Sequence, residues 1–359
     1  MIKFTCSHRH LQWRPGLEKT LYKIDRCPVR YLAANHVTID MIQRFRQTGG
    51  IAAAIRISIL LMAVLMAFIL GIPTAFAGAN RQMTDQVGRD VRVPVAPQRI
   101  VALAPSVTEI IYALGRQDRL VGVTRFSDHP EPAKHLPKVG SYIHLDVERI
   151  VALQPDLCIG IKDGNPLAVI EQLDAIGIPV YAINPRGLDS VMKSVSEIGE
   201  LVNAEEVAVR INKDMQMRID QIRIRVATSE QKPNVFFQIG ISPIVSVGSQ
   251  TFIHQLIVMA GGTNVSAGNT PYPRYSKEQV IDLAPDVIVI SSMSRRAVFE
   301  QVKAEWLQWP AIPAVKHNAV YIAPTNLFDR PTPRLVDGLE LLARLIHPEL
   351  FPEQIGETP

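Results

Sequence analysis

Cysteine is scarce in this chain of 359 residues: there are three, and Cys6 and Cys27 lie in the leading segment. The body keeps only Cys158. One thiol cannot close an internal disulfide or build a multi-cysteine metal site. It stands in the apolar run Leu157-Cys158-Ile159, which reads as a buried strand. Several enzyme signatures are also missing. There is no P-loop, no HExxH, no GxSxG and no CxxC. Gly261-Gly262 follows a helical segment and fits a turn or cap. A hydrolase needs a nucleophile and a base held together, and the sequence advertises no such set.

An excess of positive charge is missing from the body too. The formal charge is +4, but it belongs to the N-terminus. Residues 1–77 hold ten Lys/Arg against three Asp/Glu. Residues 78–359 hold 28 Lys/Arg against 31 Asp/Glu. A mildly acidic body argues against a nucleic-acid binder. Hydrophobic residues make up 47% of the chain and charged residues 20%, so a folded core is expected. The length suggests roughly two domains.

What is present begins with an export pattern. Arg44, Arg46 and Arg56 precede the apolar run 57–70, and small residues lead to Ala75-Phe76-Ala77. This is the order of a secretory signal peptide, with cleavage expected after Ala77. The run is short for a spanning helix, which needs about 20 residues. Residues 1–40 precede the signal at 41–77 and show no clear periodicity. Met41 makes a natural start, so they are read as an extension outside the working protein.

In the body, alternation around Gly88 predicts a hairpin. Short apolar strands at 99–103, 120–124, 156–160 and 180–183 alternate with helices. That pattern predicts an α/β lobe with a largely parallel sheet over 78–187. Residues 188–230 differ. Apolar positions recur at three and four through Val191, Val195, Ile198, Leu201, Val202, Val207, Ile211, Met215, Ile219 and Ile222, which predicts one or two long connecting helices. A second α/β lobe follows over 231–359, with strands at 235–239, 287–291 and 319–322 and a terminal helix near 333–346. Asp146 to Leu157 parallels Ser276 to Val287 at an offset of 130, with Glu148/Glu278, Leu153/Leu283, Pro155/Pro285 and Asp156/Asp286 identical. Two related lobes flanking a stiff helix make a cleft, a preferred place for a ligand.

At this repeat the sequence resembles the helical-backbone class of periplasmic binding proteins, which serve ABC importers of cobalamin, haem, ferric siderophores and some metals. The likeness spans roughly residues 95–350. It is carried by Ala104-Pro105-Ser106-Val107-Thr108-Glu109, Ser127-Asp128-His129-Pro130, Asp146 to Asp156, Phe237 to Pro243, Tyr272 to Val280 and Phe328 to Arg334. It implies an α/β fold of two Rossmann-like lobes joined by a long backbone helix, as in class III periplasmic binding proteins. It also implies a non-enzymatic, monomeric carrier with a permease and its ATPase as partners.

Within that class the cobalamin carriers are the best match, so cobalamin or another corrinoid is the expected cargo. Haem or a ferric siderophore is the alternative. A periplasmic hydrolase is the alternative from another class. The resemblance implies that Glu148 and Glu278 dock on arginines of the permease. Each also suits the first turn of a helix, behind the caps Asp146 and Ser276. For the ligand it implies Phe126, Tyr142 and Tyr272 around a flat ring, aromatic faces giving wide contact at low entropy cost. Tyrosine at 142 and 272 keeps haem open, because Tyr can ligate iron. The loop with Asn326, Phe328, Asp329 and Arg330 is implied to meet the polar periphery of the ring. A siderophore would need a more basic pocket than Arg330, Arg334 and Arg274 supply. His129 and His144 fall in loops beside the cleft, each a lone histidine rather than part of a ligand set.

Overall fold

A computed structural model describes residues 79–291 and 296–352, with a few positions between 55 and 62. The expected signal peptide and the extension before it lie almost wholly outside the described residues.

The chain opens on a hairpin of β1 (Asn80–Thr84) and β2 (Asp90–Pro94), turned at Gly88 with φ of 86°. The first lobe follows as β3 (Ile100–Ala102), α1 (Pro105–Ala113), β4 (Leu120–Val123), α2 (Val147–Ala152), β5 (Leu157–Ile161), α3 (Leu167–Ala175) and β6 (Val180–Ile183). Two connecting helices come next, α4 (Leu188–Leu201) and α5 (Glu205–Val226). The second lobe holds β7 (Asn234–Gln238), β8 (Ile244–Val245), α6 (Phe252–Met259), β9 (Thr263–Asn264) and β10 (Arg274–Tyr275). It continues through α7 (Lys277–Asp282), β11 (Val287–Ile290), α8 (Arg296–Leu307), α9 (Pro313–Lys316), β12 (Val320–Ile322) and α10 (Leu335–Ile346).

The lobes are built alike. The first sheet runs β4-β3-β5-β6 and the second, read from its far edge, β9-β7-β11-β12. Every pairing in both is parallel. Helices cover parallel sheets on both faces, so their central strands are apolar throughout. All four residues of β11 and all three of β3 are buried. The 130-residue repeat is exact in the backbone: α2 and α7 begin one offset apart, as do β5 and β11. Even the left-handed residues correspond, Gln154 at φ 47° and Ala284 at φ 43°.

The shared aspartate explains one conserved feature of the duplication. Asp156 accepts from the backbone N–H groups of Gln98 (2.6 Å) and Arg99 (3.0 Å) at the entry to β3. Asp286 accepts from Asn234 N–H (2.8 Å) at the entry to β7. In each lobe the aspartate therefore fixes the register of the two central strands through charge-assisted bonds.

The connection is two helices rather than one. α4 ends at Leu201, and a turn through Asn203 at φ 52° redirects the chain into α5. Gly199 makes the close crossing possible, since a Cβ there would lie 2.6 Å from the Cβ of Ala208. The predicted apolar face is real: Val191, Val195, Ile198 and Leu201 are fully buried, as are Met215, Ile219 and Ile222 nearly so. α5 is tied to α10 by Arg218, which bonds Asp337 (2.7 Å) and Glu340 (3.0 Å). One continuous apolar core runs from β3 and α1 through α4 and α5 to β7, α6 and α10. Each lobe adds a smaller cluster on the other face of its sheet. Cys158 lies fully buried in the first of these, and burial pushes its thiol far up.

Candidate functional site

A cavity of about 330 Å³ lies between the lobes. In the first lobe its walls are residues just past the carboxyl ends of the strands. Pro105 and Ser106 follow β3, Phe126 follows β4, Ile161 to Asp163 close β5, and Asn184 to Arg186 follow β6. That is where open parallel sheets place ligands. The second lobe contributes Gln250 to Phe252, Tyr272, and Asp329 to Pro331 beyond β12.

Five of the residues singled out from the sequence for ligand contact meet here: Phe126, Tyr142, Tyr272, Asp329 and Arg330. Phe126 and Tyr142 pack edge to face with ring centroids 6.2 Å apart. The Arg125 guanidinium sits 4.8 Å from the centre of the Phe126 ring, a cation–π contact that fixes the ring at the wall. Phe126 remains 38% exposed and Tyr272 57% exposed. Aromatic area left open on both sides of a cleft is surface available to a flat apolar partner.

Tyr142 is held from behind. Gly164, at φ 126°, leaves room for its ring, for a Cβ there would come within 2.6 Å of Cδ2. The buried Asn165 donates to the carbonyls of Tyr142 (2.8 Å) and Leu103 (2.9 Å) and accepts from Ile161 N–H (2.7 Å). Three bonds from one side chain join the Tyr142 loop to the ends of β3 and β5. Asn165 is not among the residues that the sequence singles out. Its signal was the Gly164-Asn165-Pro166 turn directly after an apolar strand.

The other two ligand candidates lie elsewhere. Phe328 points inward: it is 2% exposed and packs on Phe237 at 5.3 Å between centroids. Asn326 is exposed on the short turn before it and does not line the cavity. His129, His144 and Arg274 are likewise absent from its walls. Arg334 lies beside it, reaching Glu109 at 3.4 Å.

The loop after β12 concentrates charge at one edge of the cleft. Arg330 donates to Glu109 (2.9 Å), to Asp128 (2.7 Å) and to the Phe126 carbonyl (3.1 Å). Asp329 lies 4.0 Å from the Arg330 Nε. Burial pushes the Asp329 carboxyl up to about 6, and Glu109 and Asp128 push the same way while Arg330 opposes them. A carboxyl raised above its unfolded value keeps a proton in the folded state that the unfolded chain has released. Stability linked to it is present at low pH and is lost as pH rises through that window. Asp329→Asn is neutral at every pH. Its melting temperature relative to the parent is expected to rise between pH about 4 and about 7. Scanning calorimetry across that range checks this, and a constant difference would refute it.

Glu148 and Glu278 both lie exposed in the first turns of α2 and α7. The caps are as expected. Asp146 accepts from Arg149 N–H at 3.1 Å, and Ser276 and Gln279 form a reciprocal capping box. The Glu278 carboxyl is held below its usual range, first by a hydrogen bond from Ser276 and also by its own backbone N–H and the nearby Lys277.

Parallel sheets in two like lobes, helices packed between them and a cavity at the strand ends define a solute-binding protein. The chain belongs to the periplasmic binding protein family, whose model matches residues 100–327. It is 34% identical over 244 residues to the vitamin B12-binding protein of Vibrio campbellii, covering 67% of this chain and 86% of the relative. Among solved structures it is similar to the periplasmic vitamin B12-binding protein of Vibrio cholerae, with a TM-score of 0.64 and 29% identity over 73% of this chain and 100% of that one. A periplasmic haem-binding protein from Pseudomonas aeruginosa gives a TM-score of 0.64 at 27% identity, over 70% of this chain and 93% of that one.

Proposed function

We propose that this protein is the soluble cargo-binding component of an ABC importer and that its cargo is cobalamin or a related corrinoid. It works in the periplasm, as a monomer, and it binds without catalysing. The observation that carries this reading is the cavity between the lobes, with Phe126 and Tyr142 on one side and Tyr272 on the other. A large flat macrocycle gains most from aromatic surface on both sides of it. The relatives named for vitamin B12 favour a corrinoid over other flat ligands. Haem is the second reading, favoured by the haem-binding neighbour and by two tyrosines whose oxygens can ligate iron.

About 330 Å³ is at the small end of ligand cavities, which run from roughly 300 to 1,000 Å³. The corrin ring is taken between the lobes, which part only slightly to admit it. Asp329 and Arg330 then face its polar periphery. Loaded carrier docks through Glu148 and Glu278, one carboxylate per lobe, and the permease draws the lobes apart. The export pattern ending at Ala77 supports the location.

Titration calorimetry with cyanocobalamin, dicyanocobinamide, haem and a ferric siderophore tests the cargo. Submicromolar binding of both corrinoids is expected. Tight haem binding with none of either corrinoid would replace the first reading by the second.

A further inference from the structure

Glu109 is an unusual residue for the middle of a packed helix. It sits on α1 in the first lobe, and its side chain is 3% exposed. A carboxylate so far out of water needs compensation close by. Among the described residues its charged partners are Arg330 at 2.9 Å and Arg334 at 3.4 Å. Both belong to the second lobe. Arg330 is itself only 13% exposed and spends its remaining donors on Asp128 and on the carbonyl of Phe126, again in the first lobe. Its planar fork matches two carboxylates and a carbonyl at once, which a lysine cannot reproduce.

We propose that Arg330, Glu109, Arg334 and Asp128 form an ionic latch that sets the spacing of the two lobes and gates cargo exit. The proposal rests on the carrier reading above and adds the element that controls its opening. When the lobes part, Glu109 loses both guanidinium groups together and stands in an apolar helix face without a partner. Parting is therefore opposed until water reaches it. The latch also reports directly to the binding wall. Arg330 lines the cavity and holds the backbone of Phe126, so the aromatic wall moves when the latch does. Asp329, next in the chain, sits within the same charge cluster. At the other side of the cleft the only comparable crossing among the described residues is slight: Leu188 N–H to the Gln255 side chain at 3.2 Å. That contact lies at the start of α4, in the connecting helices rather than in the first lobe.

This predicts a specific change in the empty protein. Spin labels are placed at Glu171→Cys and Lys316→Cys, exposed positions one per lobe, in the full chain with Cys6 and Cys27 replaced by serine. Buried Cys158 stays unlabelled. Arg330→Met and Glu109→Gln are expected to lengthen and broaden the inter-lobe distance distribution. Asp128→Asn, altering an exposed partner that cannot unsettle the core, is expected to do so to a smaller degree. Stopped-flow dissociation of cyanocobalamin is expected to quicken about ten-fold or more in Arg330→Met, with association changed far less. Distances indistinguishable from the parent in Arg330→Met and Asp128→Asn alike would overturn the latch. So would dissociation within about two-fold of the parent in Arg330→Met. The distance measurement needs no cargo, so a wrong cargo leaves it intact and shows itself as absent binding in the parent.

Discussion

Reversing both exposed charges, Glu148→Arg with Glu278→Arg, is expected to abolish cargo uptake while cargo affinity stays unchanged. The two carboxylates are exposed, sit at matching places in two like lobes, and contribute nothing to the cavity. A surface charge of this kind acts through encounter and orientation, and like charges brought face to face cost several kcal/mol. Two such repulsions applied together reduce productive docking by about a hundred-fold or more. Either single reversal is expected to have a lesser effect. The measurement is cargo-stimulated ATP hydrolysis by the reconstituted importer, with calorimetry on the same protein. Normal stimulation by the double variant would remove both glutamates from docking and leave them as helix-end acids, stabilised by the first-turn dipole alone.

A large loss of stability is expected from Phe328→Ala. The ring is fully enclosed, stacked edge to face on Phe237 and set against the Cβ-free surface of Gly338, where a Cβ would come within 3.1 Å of its Cε1. Truncating such a side chain costs about 3–5 kcal/mol, partly for lost burial and partly for the cavity left behind. For a chain of this size that lowers the melting temperature by roughly 10 °C. The loss is not only thermal. Phe328 is the anchor from which Asp329 and Arg330 project toward the cleft. Cargo affinity is expected to fall in the variant at temperatures where it remains folded. Thermal denaturation with calorimetry at low temperature separates the two effects. An unchanged melting temperature would mean that the ring carries no packing energy.

Phe328 also shows where sequence reading stops. An aromatic in a polar loop beside charged residues has the pattern of a pocket residue, and Phe126 and Tyr272 in similar settings do line the cavity. What separates them is whether a neighbouring element leaves space, here Gly338 on α10, and that is a tertiary fact. The architecture was far more legible. Central strands of a parallel sheet are apolar on both faces, so β3, β5, β7 and β11 stand out as continuous runs. The duplication was legible because the helix cap, the glutamate and the register-fixing aspartate all recur at one offset. β9 was not, since a two-residue edge strand has no period to detect. The break between α4 and α5 was legible only as an alternative, one helix or two, and Asn203 in the left-handed region with the close crossing at Gly199 decides it. The latch was half visible: Glu109 and Arg330 each stood in a recognised motif, yet 221 positions of chain separate them.

The continuous core through α4 and α5 has a consequence for traffic at the membrane. Lobes that share their interior with the helices between them cannot swing widely, so an unloaded carrier keeps nearly the outline of a loaded one. On the proposed docking mode both forms then present Glu148 and Glu278 to the permease. Empty carriers would then compete with loaded ones, and overproducing the protein when cargo is scarce would slow uptake rather than speed it. Selectivity for the loaded form has to come from how long each complex lasts, not from which one forms.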